Sequence, residues 1–248
     1  MAGSAVLPVA HAEWIKIKSL RSSLISLLVI FAVTLAITVL ASATIGQAEA
    51  ADPDAEPLFD AFYAFNFGQI AAISFGTTAV ASEYTSGALR ISLAAVPRRG
   101  LFYGSKMMVI GGLALLAGLV TSFATFLTSQ AFMGEYAIGL GHPGAVRACV
   151  GGGIYLSLMA LLAGGLTAVL RSGVAVLSVL IPFTLIVSFV VGDVADGAAG
   201  FLPDKAGQQV LHEAPTGSVG PLAGLAVCAA WTAVVLLAGW WAVRRRDA

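Results

Sequence analysis

The sequence predicts an all-α integral membrane protein with six transmembrane helices, an N-terminal interfacial helix and a further cytoplasmic helix between helices 2 and 3. Of its 248 residues, 58% are hydrophobic and only 10% are charged, whereas soluble domains are about a quarter charged. A soluble protein of this composition would have too few polar side chains to cover its surface. Much of the surface must therefore face lipid.

Six uninterrupted apolar runs are long enough to cross a bilayer, because a transmembrane helix needs about 20 apolar residues. Their continuous hydrophobicity favours helices, which satisfy every backbone amide internally, over the alternating strands of a barrel. None of the runs contains Lys, Arg, Asp or Glu, and they span about 22–45, 61–82, 107–131, 148–170, 173–192 and 220–243. The connections are too short to form a core of their own, so residues 1–248 form one transmembrane domain.

The basic residues predict the orientation, because Lys and Arg accumulate on the cytoplasmic side of a membrane. Six spans bring both termini to one side, and only Arg147 and Lys205 lie on the other. The eleven remaining basic residues are Lys16, Lys18, Arg21, Arg90, Arg98, Arg99, Lys106, Arg171, Arg244, Arg245 and Arg246. We therefore expect a multi-pass protein of the inner (plasma) membrane with both termini in the cytoplasm.

Three local features concern helix shape and packing. Span 4 is rich in glycine, which permits close approach of neighbouring helices. In span 5, Pro182 removes a backbone donor and crowds the preceding turn, which predicts a kink. For the outer segment 193–219, a short helix within residues 204–213 and a plain solvated loop both stay open. The glycines of span 4 are Gly151, Gly152, Gly153, Gly164 and Gly165.

Residues 9–21 form the predicted interfacial helix. Trp14, Ile17 and Leu20 fall near one helical face, while neighbouring basic side chains can reach lipid headgroups. This pattern indicates a helix that lies flat on the membrane before the chain turns into span 1. The alternative is a simple positively charged flank.

The loop of residues 83–100 contains the predicted cytoplasmic helix. It begins with polar residues, continues with Leu89, Leu93 and Val96 at helical spacing, and ends at Pro97 and Gly100. A helix of about three turns is expected here. Alternatively, the arginines of this loop serve only to anchor anionic headgroups.

No catalytic, cofactor-binding or metal-binding residues can be assigned. Intramembrane enzymes and ion-coupled carriers need ionisable groups within their spans, and the six runs contain none. The chain has no G-x-S-x-G or H-E-x-x-H motif, and Gly104-Ser105-Lys106 lacks the remaining glycine and the Ser or Thr of a phosphate-binding loop. The balanced net charge gives no indication of a nucleic-acid partner. The chain is predicted not to be an enzyme, so any energy must come from a partner.

Polar uncharged residues do occur within the spans. The functional interpretation is a stripe that lines a substrate path or a subunit seam. The alternative is that Ser and Thr bond to carbonyls of their own helix or to adjacent helices. The candidates are Asn66 and Gln69 in span 2, and Thr121, Thr125, Thr128 and Ser129 in span 3.

The run Glu83-Tyr84-Thr85-Ser86-Gly87-Ala88-Leu89-Arg90, followed by Val96-Pro97-Arg98-Arg99-Gly100 and then Lys106, resembles the permeases of the type-2 ATP-binding-cassette exporter family, in particular the single-domain bacterial form. With the N-terminal helix and six spans, the resemblance extends over nearly the whole chain. It implies a coupling helix at residues 84–96 that fits a groove on a cytosolic ATPase subunit. The implied coupling residues are Glu83, Tyr84, Thr85, Gly87 and Arg90, with Arg98 and Arg99 as salt-bridge partners.

The resemblance also implies a working unit of two permeases, expected to be a homodimer in membrane lipid, and two ATPase subunits that bind ATP and Mg. ATP hydrolysis would then drive export of a cargo that the sequence does not specify. A second hypothesis is a noncatalytic membrane scaffold or immunity protein that acts by binding. A third, an intramembrane enzyme, is the weakest because no catalytic pair is visible.

Overall fold

The computed structural model describes residues 6–19, 21–53, 55–96, 98–187, 199–214 and 219–245. Within these ranges the regular structure is helical, and no strand occurs. The principal helices are α1 (Val6–Ser19), α2 (Arg21–Ala41), α3 (Phe65–Thr85), α4 (Ala88–Ala95), α5 (Arg99–Phe132), α6 (Ala145–Leu170), α7 (Gly173–Pro182), α8 (Pro203–Gln208) and α9 (Pro221–Arg245). The all-α membrane class predicted from the sequence is confirmed.

Four segments in the described ranges are long and apolar enough to cross a membrane. They are Ile25–Ala50, Arg99–Phe132, Ala145–Leu170 and Pro221–Arg245. The first is α2, continued without interruption by a π-helical turn at Ser42–Gly46 and a last helical turn at Gln47–Ala50. These four correspond to predicted spans 1, 3, 4 and 6.

The other two predicted spans are helical but differ from these four. Span 2 is α3, a 21-residue helix that is less apolar because it includes Asn66, Gln69 and several hydroxyl side chains. Span 5 begins as α7 and continues as a π-helical turn at Phe183–Val187, while residues 188–192 lie outside the described ranges. The distortion expected at Pro182 takes the form of this wider turn, which follows the proline directly.

Helix α6 lies at the centre of the bundle and packs against α3, α5 and α9. In its most apolar stretch 67% of residues are buried, against 22% for α2 and for α9. The other helices therefore present more of their apolar surface to lipid. A central helix of this kind needs small side chains, because in lipid the association of helices depends on close packing rather than on the hydrophobic effect.

Glycine permits contact between the backbones of α3 and α6. A Cβ added to Gly76 would lie 1.9 Å from the carbonyl oxygen of Ala160, far inside the distance at which a carbon and a nonbonded oxygen come into van der Waals contact. The crossing of α5 with α6 is similar, since a Cβ on Gly118 would lie 2.8 Å from the carbonyl oxygen of Gly153. On span 4 itself, a Cβ added to Gly153 would lie 2.9 Å from the Cα of Leu119, so close packing also accounts for glycine at this position.

The outer segment is folded against the membrane helices and is not a plain loop in the part that the structure describes. Helix α8 and the following 3₁₀ turn at Gln209–Leu211 pack on α6 and α9, and they bury Ala206, Val210 and Leu211. Of the two alternatives left open for residues 204–213, the short helix is therefore the one present, at Pro203–Gln208. Residues 193–198 and 215–218 of this segment lie outside the described ranges.

Basic side chains gather at one end of the bundle. The guanidinium of Arg171, between α6 and α7, lies 6.0 Å from the ring centroid of Tyr84 at the end of α3. Arg98 and Arg99 at the start of α5 line one pocket together with Arg244 near the end of α9. We call this the basic end of the bundle.

The opposite end joins its connections through a different set of contacts. Arg147 donates a hydrogen bond from Nη2 to the carbonyl oxygen of His212 at 2.5 Å. His212 Nδ1 lies 2.7 Å from Glu56 Oε2, and its ring stacks on Phe59 at a centroid distance of 3.9 Å. These contacts tie the outer segment to the connection between α2 and α3.

The contact of Gly76 with Ala160 leads to a stability prediction. Gly76→Ala should lower the free energy of unfolding by about 1–3 kcal/mol or more, because the added methyl group must separate two backbones. The matched control is Gly112→Ala on α5, where an added Cβ meets no atom within 4 Å. Thermal unfolding in detergent measures both variants. Equal melting temperatures for the two would contradict the predicted backbone contact.

Candidate functional site

Four charged side chains from three helices meet at the basic end. Glu13 and Lys16 come from α1, Glu83 from the last turn of α3, and Lys106 from the start of α5. Lys106 Nζ lies 2.8 Å from Glu13 Oε2 and 3.0 Å from Glu83 Oε1. Lys16 Nζ lies 2.6 Å from Glu13 Oε1 and 3.1 Å from Glu83 Oε1. Each ammonium thus contacts both carboxylates, and this charge cluster is neutral as a whole.

The charge cluster is largely withdrawn from solvent. Glu13, Glu83 and Lys106 are 1%, 6% and 4% exposed, and only Lys16 is partly open. The ring of Phe102 covers one side, with its centroid 5.3 Å from Lys16 Nζ and 5.7 Å from Lys106 Nζ, within cation–π range. Transfer of an ion to such an environment costs several kcal/mol, which the opposite charges offset only while all of them are present.

The charge cluster also holds α4, the predicted coupling helix. Lys16 Nζ donates a hydrogen bond to Ser92 Oγ at 2.8 Å, and Ser92 is buried in the middle of α4. The helix starts after Gly87, whose φ of 71° is left-handed and favours glycine. It ends at Ala95 because Val96, the residue before Pro97, leaves the helical region with φ −125° and ψ 86°. Two turns of helix are therefore attached to the cluster at their midpoint.

The structure distributes the sequence-predicted coupling residues over different environments. Thr85 and Gly87 are exposed, Tyr84 is half-buried, and Glu83 is inside the charge cluster. The side chain of Arg90 lies outside the described part of the chain. The coupling roles of these residues stay predictions, but Glu83 can act only through the side chains that surround it.

The remaining two coupling candidates lie apart from the charge cluster. Arg98 is the exposed residue that precedes α5, and Arg99 is half-buried in its first turn. Both line a pocket with Leu101, Trp240 and Arg244. A salt bridge from either arginine to another protein also stays a prediction.

Sequence reasoning missed three members of the charge cluster, Glu13, Lys16 and Lys106, as site residues. It used the two lysines only as evidence for the orientation of the chain. It also began span 3 at residue 107, whereas α5 begins at Arg99. One signal was available. Glu13, Glu83 and Asp247 are the only acids on the side of the chain that carries eleven basic residues, and two of these three lie in the cluster.

The N-terminal helix is present with shifted bounds and a different buried face. Helix α1 covers Val6–Ser19 instead of 9–21. Ile17 is buried together with Glu13, whereas Trp14 is 43% exposed, so Trp14 and Ile17 do not share one environment. Helix α1 packs on α5 through the charge cluster, which is a stronger attachment than a positively charged flank.

The protonation of Lys16 depends on this arrangement. Burial lowers the pKa of Lys16, but the hydrogen bond to Glu13 and the charges of Glu83 and Glu13 outweigh it, and the net pKa is raised above 10.5. A raised pKa in the folded state stabilises the fold at every pH below the unfolded value. This contribution is complete at neutral pH and is lost only as the pH rises past 10.5.

Asn66 and Gln69 belong to a buried hydrogen-bond network. The hydroxyl of Tyr155 on α6 donates to Gln69 Oε1. Gln208 on α8 donates from Nε2 to Asn66 Oδ1 at 3.1 Å and to the Tyr155 hydroxyl at 3.3 Å. The network therefore fixes the outer segment to α3 and α6. Both predicted residues face the bundle interior, where such bonds gain strength from the low dielectric.

The hydroxyl stripe on α5 also faces inward, except at one position. Thr121, Thr125 and Ser129 are buried, while Thr128 is half-buried. Thr121 donates to the carbonyl oxygen of Ala117 at 2.7 Å, in agreement with the packing interpretation. The hydroxyl of Thr125 has no hydrogen-bond partner among the described residues. Whether this stripe lines a substrate path stays a prediction.

These features define a polytopic all-helical membrane protein whose basic end is organised by the charge cluster. The chain belongs to the ABC-2 transporter family, since a family model described as "ABC-2 family transporter protein" matches residues 10–192. The match includes α1 from Ala10, the entire charge cluster, α4 and all of α7. It identifies the chain as an ABC-2 type permease. A comparison with curated proteins found no significant match.

The charge cluster leads to a test by double substitution. Lys106→Met should lower the free energy of unfolding by about 3–5 kcal/mol, because it leaves a buried carboxylate without its counter-ion. Adding Glu83→Gln restores neutrality, since Glu13 and Lys16 then pair with each other. The double variant should therefore be more stable than Lys106→Met alone in chemical unfolding. An additive loss from the two substitutions would show that the two charges do not interact.

Proposed function

We propose that the chain is the membrane-spanning permease subunit of an ATP-driven exporter, in which a separate cytosolic ATPase supplies the energy. Membership of the ABC-2 family supports an ATPase partner. The observation that carries the proposal is the attachment of α4 to the buried charge cluster through Ser92. A short helix joined in this way to three other helices at the basic end is suited to receive a force from outside the membrane.

Transmission would begin when the ATPase subunits close on ATP and Mg and displace α4. Because Lys16 holds Ser92 and both carboxylates, α1 would follow. The ends of α3 and α5 would follow as well, since separation of opposite charges in a medium of low dielectric is costly. The charge cluster would thus convert a displacement of α4 into a joint movement of three helices.

The proposed ATPase contact is the start of α4, with Tyr84, Thr85, Gly87 and Arg90. Exposure of Thr85 and Gly87 supports this surface. Glu83 would act as a positioning residue that links α3 to the cluster. Arg98 and Arg99 are candidates by resemblance alone, and the pocket that they share with Trp240 favours another ligand.

We further propose six crossings, with both termini in the cytoplasm and the basic end facing the ATPase. The charge cluster, the contact of Arg171 with Tyr84 and the pocket shared by Arg98 and Arg244 support this topology, because they join both chain ends and two connections at one side. The positive-inside rule then gives the orientation. The inner membrane is the expected location.

The working unit would be a homodimer of permeases with two ATPase subunits. A groove between α2 and α3, lined by Val29, Val33 and Phe67 among others, is apolar and open, as a seam between two copies would require. Cargo would pass along polar residues that are internal in one copy, namely Asn66, Gln69, Thr121, Thr125, Thr128 and Ser129. The chemical class of the cargo is left unassigned.

Purification of the tagged protein from its native membrane tests the central proposal. Gentle detergent extraction should retain an ATP-binding-cassette ATPase in equal amounts with the chain. Liposomes that contain both subunits should then show transport that depends on ATP. A chain that functions without any ATPase, or binds its target without nucleotide, would instead be a membrane scaffold or immunity protein.

Ser92→Ala tests the proposed transmission. Removal of the hydroxyl should leave ATP hydrolysis intact and reduce transport per ATP by about tenfold, because a hydrogen bond to a charged group contributes about 1.5–3 kcal/mol. The matched control is Thr78→Val on α3, whose hydroxyl bonds to the carbonyl oxygens of Ser74 and Phe75 in the same helix. Unchanged coupling in Ser92→Ala, or equal loss in both variants, would contradict the proposed route.

A further inference from the structure

A pocket at the basic end lies between the start of α5 and the end of α9. It is an open cleft of about 530 Å³ lined by Arg98, Arg99, Gly100, Leu101, Trp240 and Arg244. These two groups of residues are about 140 positions apart in the sequence. The pocket therefore arises from tertiary packing and has no counterpart in the coupling loop alone.

Close packing fixes the shape of the pocket. A Cβ added to Gly100 would lie 2.8 Å from Trp240 Nε1, so glycine allows the indole to approach the first turn of α5. The guanidinium of Arg244 lies 4.4 Å from the ring centroid of Trp240, within cation–π range. Trp240 thus holds Arg244 on the wall opposite Arg98 and Arg99.

The pocket walls carry donors and positive charge. Three guanidinium groups line the pocket, and no carboxylate does so among the described residues. Arginine forks favour a phosphate oxygen anion.

The level of the pocket relative to the membrane favours a lipid as its ligand. Trp240 and Trp241 lie near the end of the apolar stretch of α9, and Arg244 and Arg245 follow after Ala242 and Val243. Tryptophan marks the headgroup level of a bilayer, and arginine beyond it reaches the phosphates. Leu101 supplies an apolar wall beside the charged groups. We propose that this pocket binds the phosphate headgroup of an anionic phospholipid.

Binding of a lipid in this pocket differs from general electrostatic attraction to an anionic membrane surface. Arg245 provides the comparison, because its guanidinium lies over Trp241 at 4.8 Å from the ring centroid and it is not among the pocket residues. The two arginines have the same side chain, are neighbours on one helix and reach the same membrane surface. A defined pocket requires Arg244 but not Arg245.

Native mass spectrometry of the purified complex tests the site. The protein is released from phosphatidylcholine nanodiscs with or without phosphatidylglycerol, and retained lipids are counted. The native protein should retain phosphatidylglycerol preferentially. Arg244→Gln should weaken retention about tenfold, because it removes a charge-assisted hydrogen bond to the phosphate within the pocket, and the triple variant Arg98→Gln, Arg99→Gln, Arg244→Gln should weaken it further. Arg245→Gln should retain the lipid as the native protein does.

Several results would overturn the proposal. Equal loss in Arg244→Gln and Arg245→Gln would indicate general surface attraction. Binding of soluble glycerol phosphate as tight as that of the lipid would assign the pocket to a free phosphate. A triple variant that keeps the lipid but no longer co-purifies with its ATPase would assign the arginines to protein contact. Melting temperatures in phosphatidylcholine alone verify that each variant is folded, and the result is independent of whether transport occurs.

Discussion

The neutrality of a buried group of charges is the constraint on which the basic end of this protein depends. Two carboxylates and two ammonium groups lie where a single unpaired ion would be costly, and each ammonium is shared by both carboxylates. Helices α1, α3 and α5 must therefore keep a common geometry there. Helix α4 joins them through one hydrogen bond. A charge cluster of this kind specifies which helices meet. Apolar packing within lipid is less specific in this respect.

Elsewhere in the bundle, the close approach of helices depends on glycine residues, which have no side chain. Gly76 and Gly118 bring α3 and α5 into backbone contact with α6, which gains van der Waals contacts that a larger residue would prevent. The network of Gln69, Tyr155 and Gln208 then closes the opposite end. The protein thus has polar specificity at both ends and close helix packing between them.

The sequence predicted the helices well because a bilayer imposes length and apolarity on each of them separately. It also predicted a short helix that ends before Pro97, but it expected about three turns, whereas α4 begins only after the left-handed Gly87 and has about two. The charge cluster escaped prediction because its partners are separated by 67 residues between Lys16 and Glu83, and spacing along one helix carries no information about such contacts. Glu83 was consequently assigned to ATPase coupling by resemblance, and its place in a buried cluster was not predicted. Gln69 was identified as notable, but its partner Tyr155 looked like an ordinary aromatic residue of an apolar span.

Helix α5 is longer than a helix needs to be to cross the membrane. Its 34 residues extend about 51 Å, against a hydrocarbon core of about 30 Å. One end carries Lys106, and beside the other the amide of Gln47 donates to the carbonyl oxygen of Phe132. An unbroken helix of this length behaves as a lever. A tilt of about 10° about one end moves the other by about 9 Å, so a small rotation at the basic end suffices to shift the connections on the far side of the bilayer.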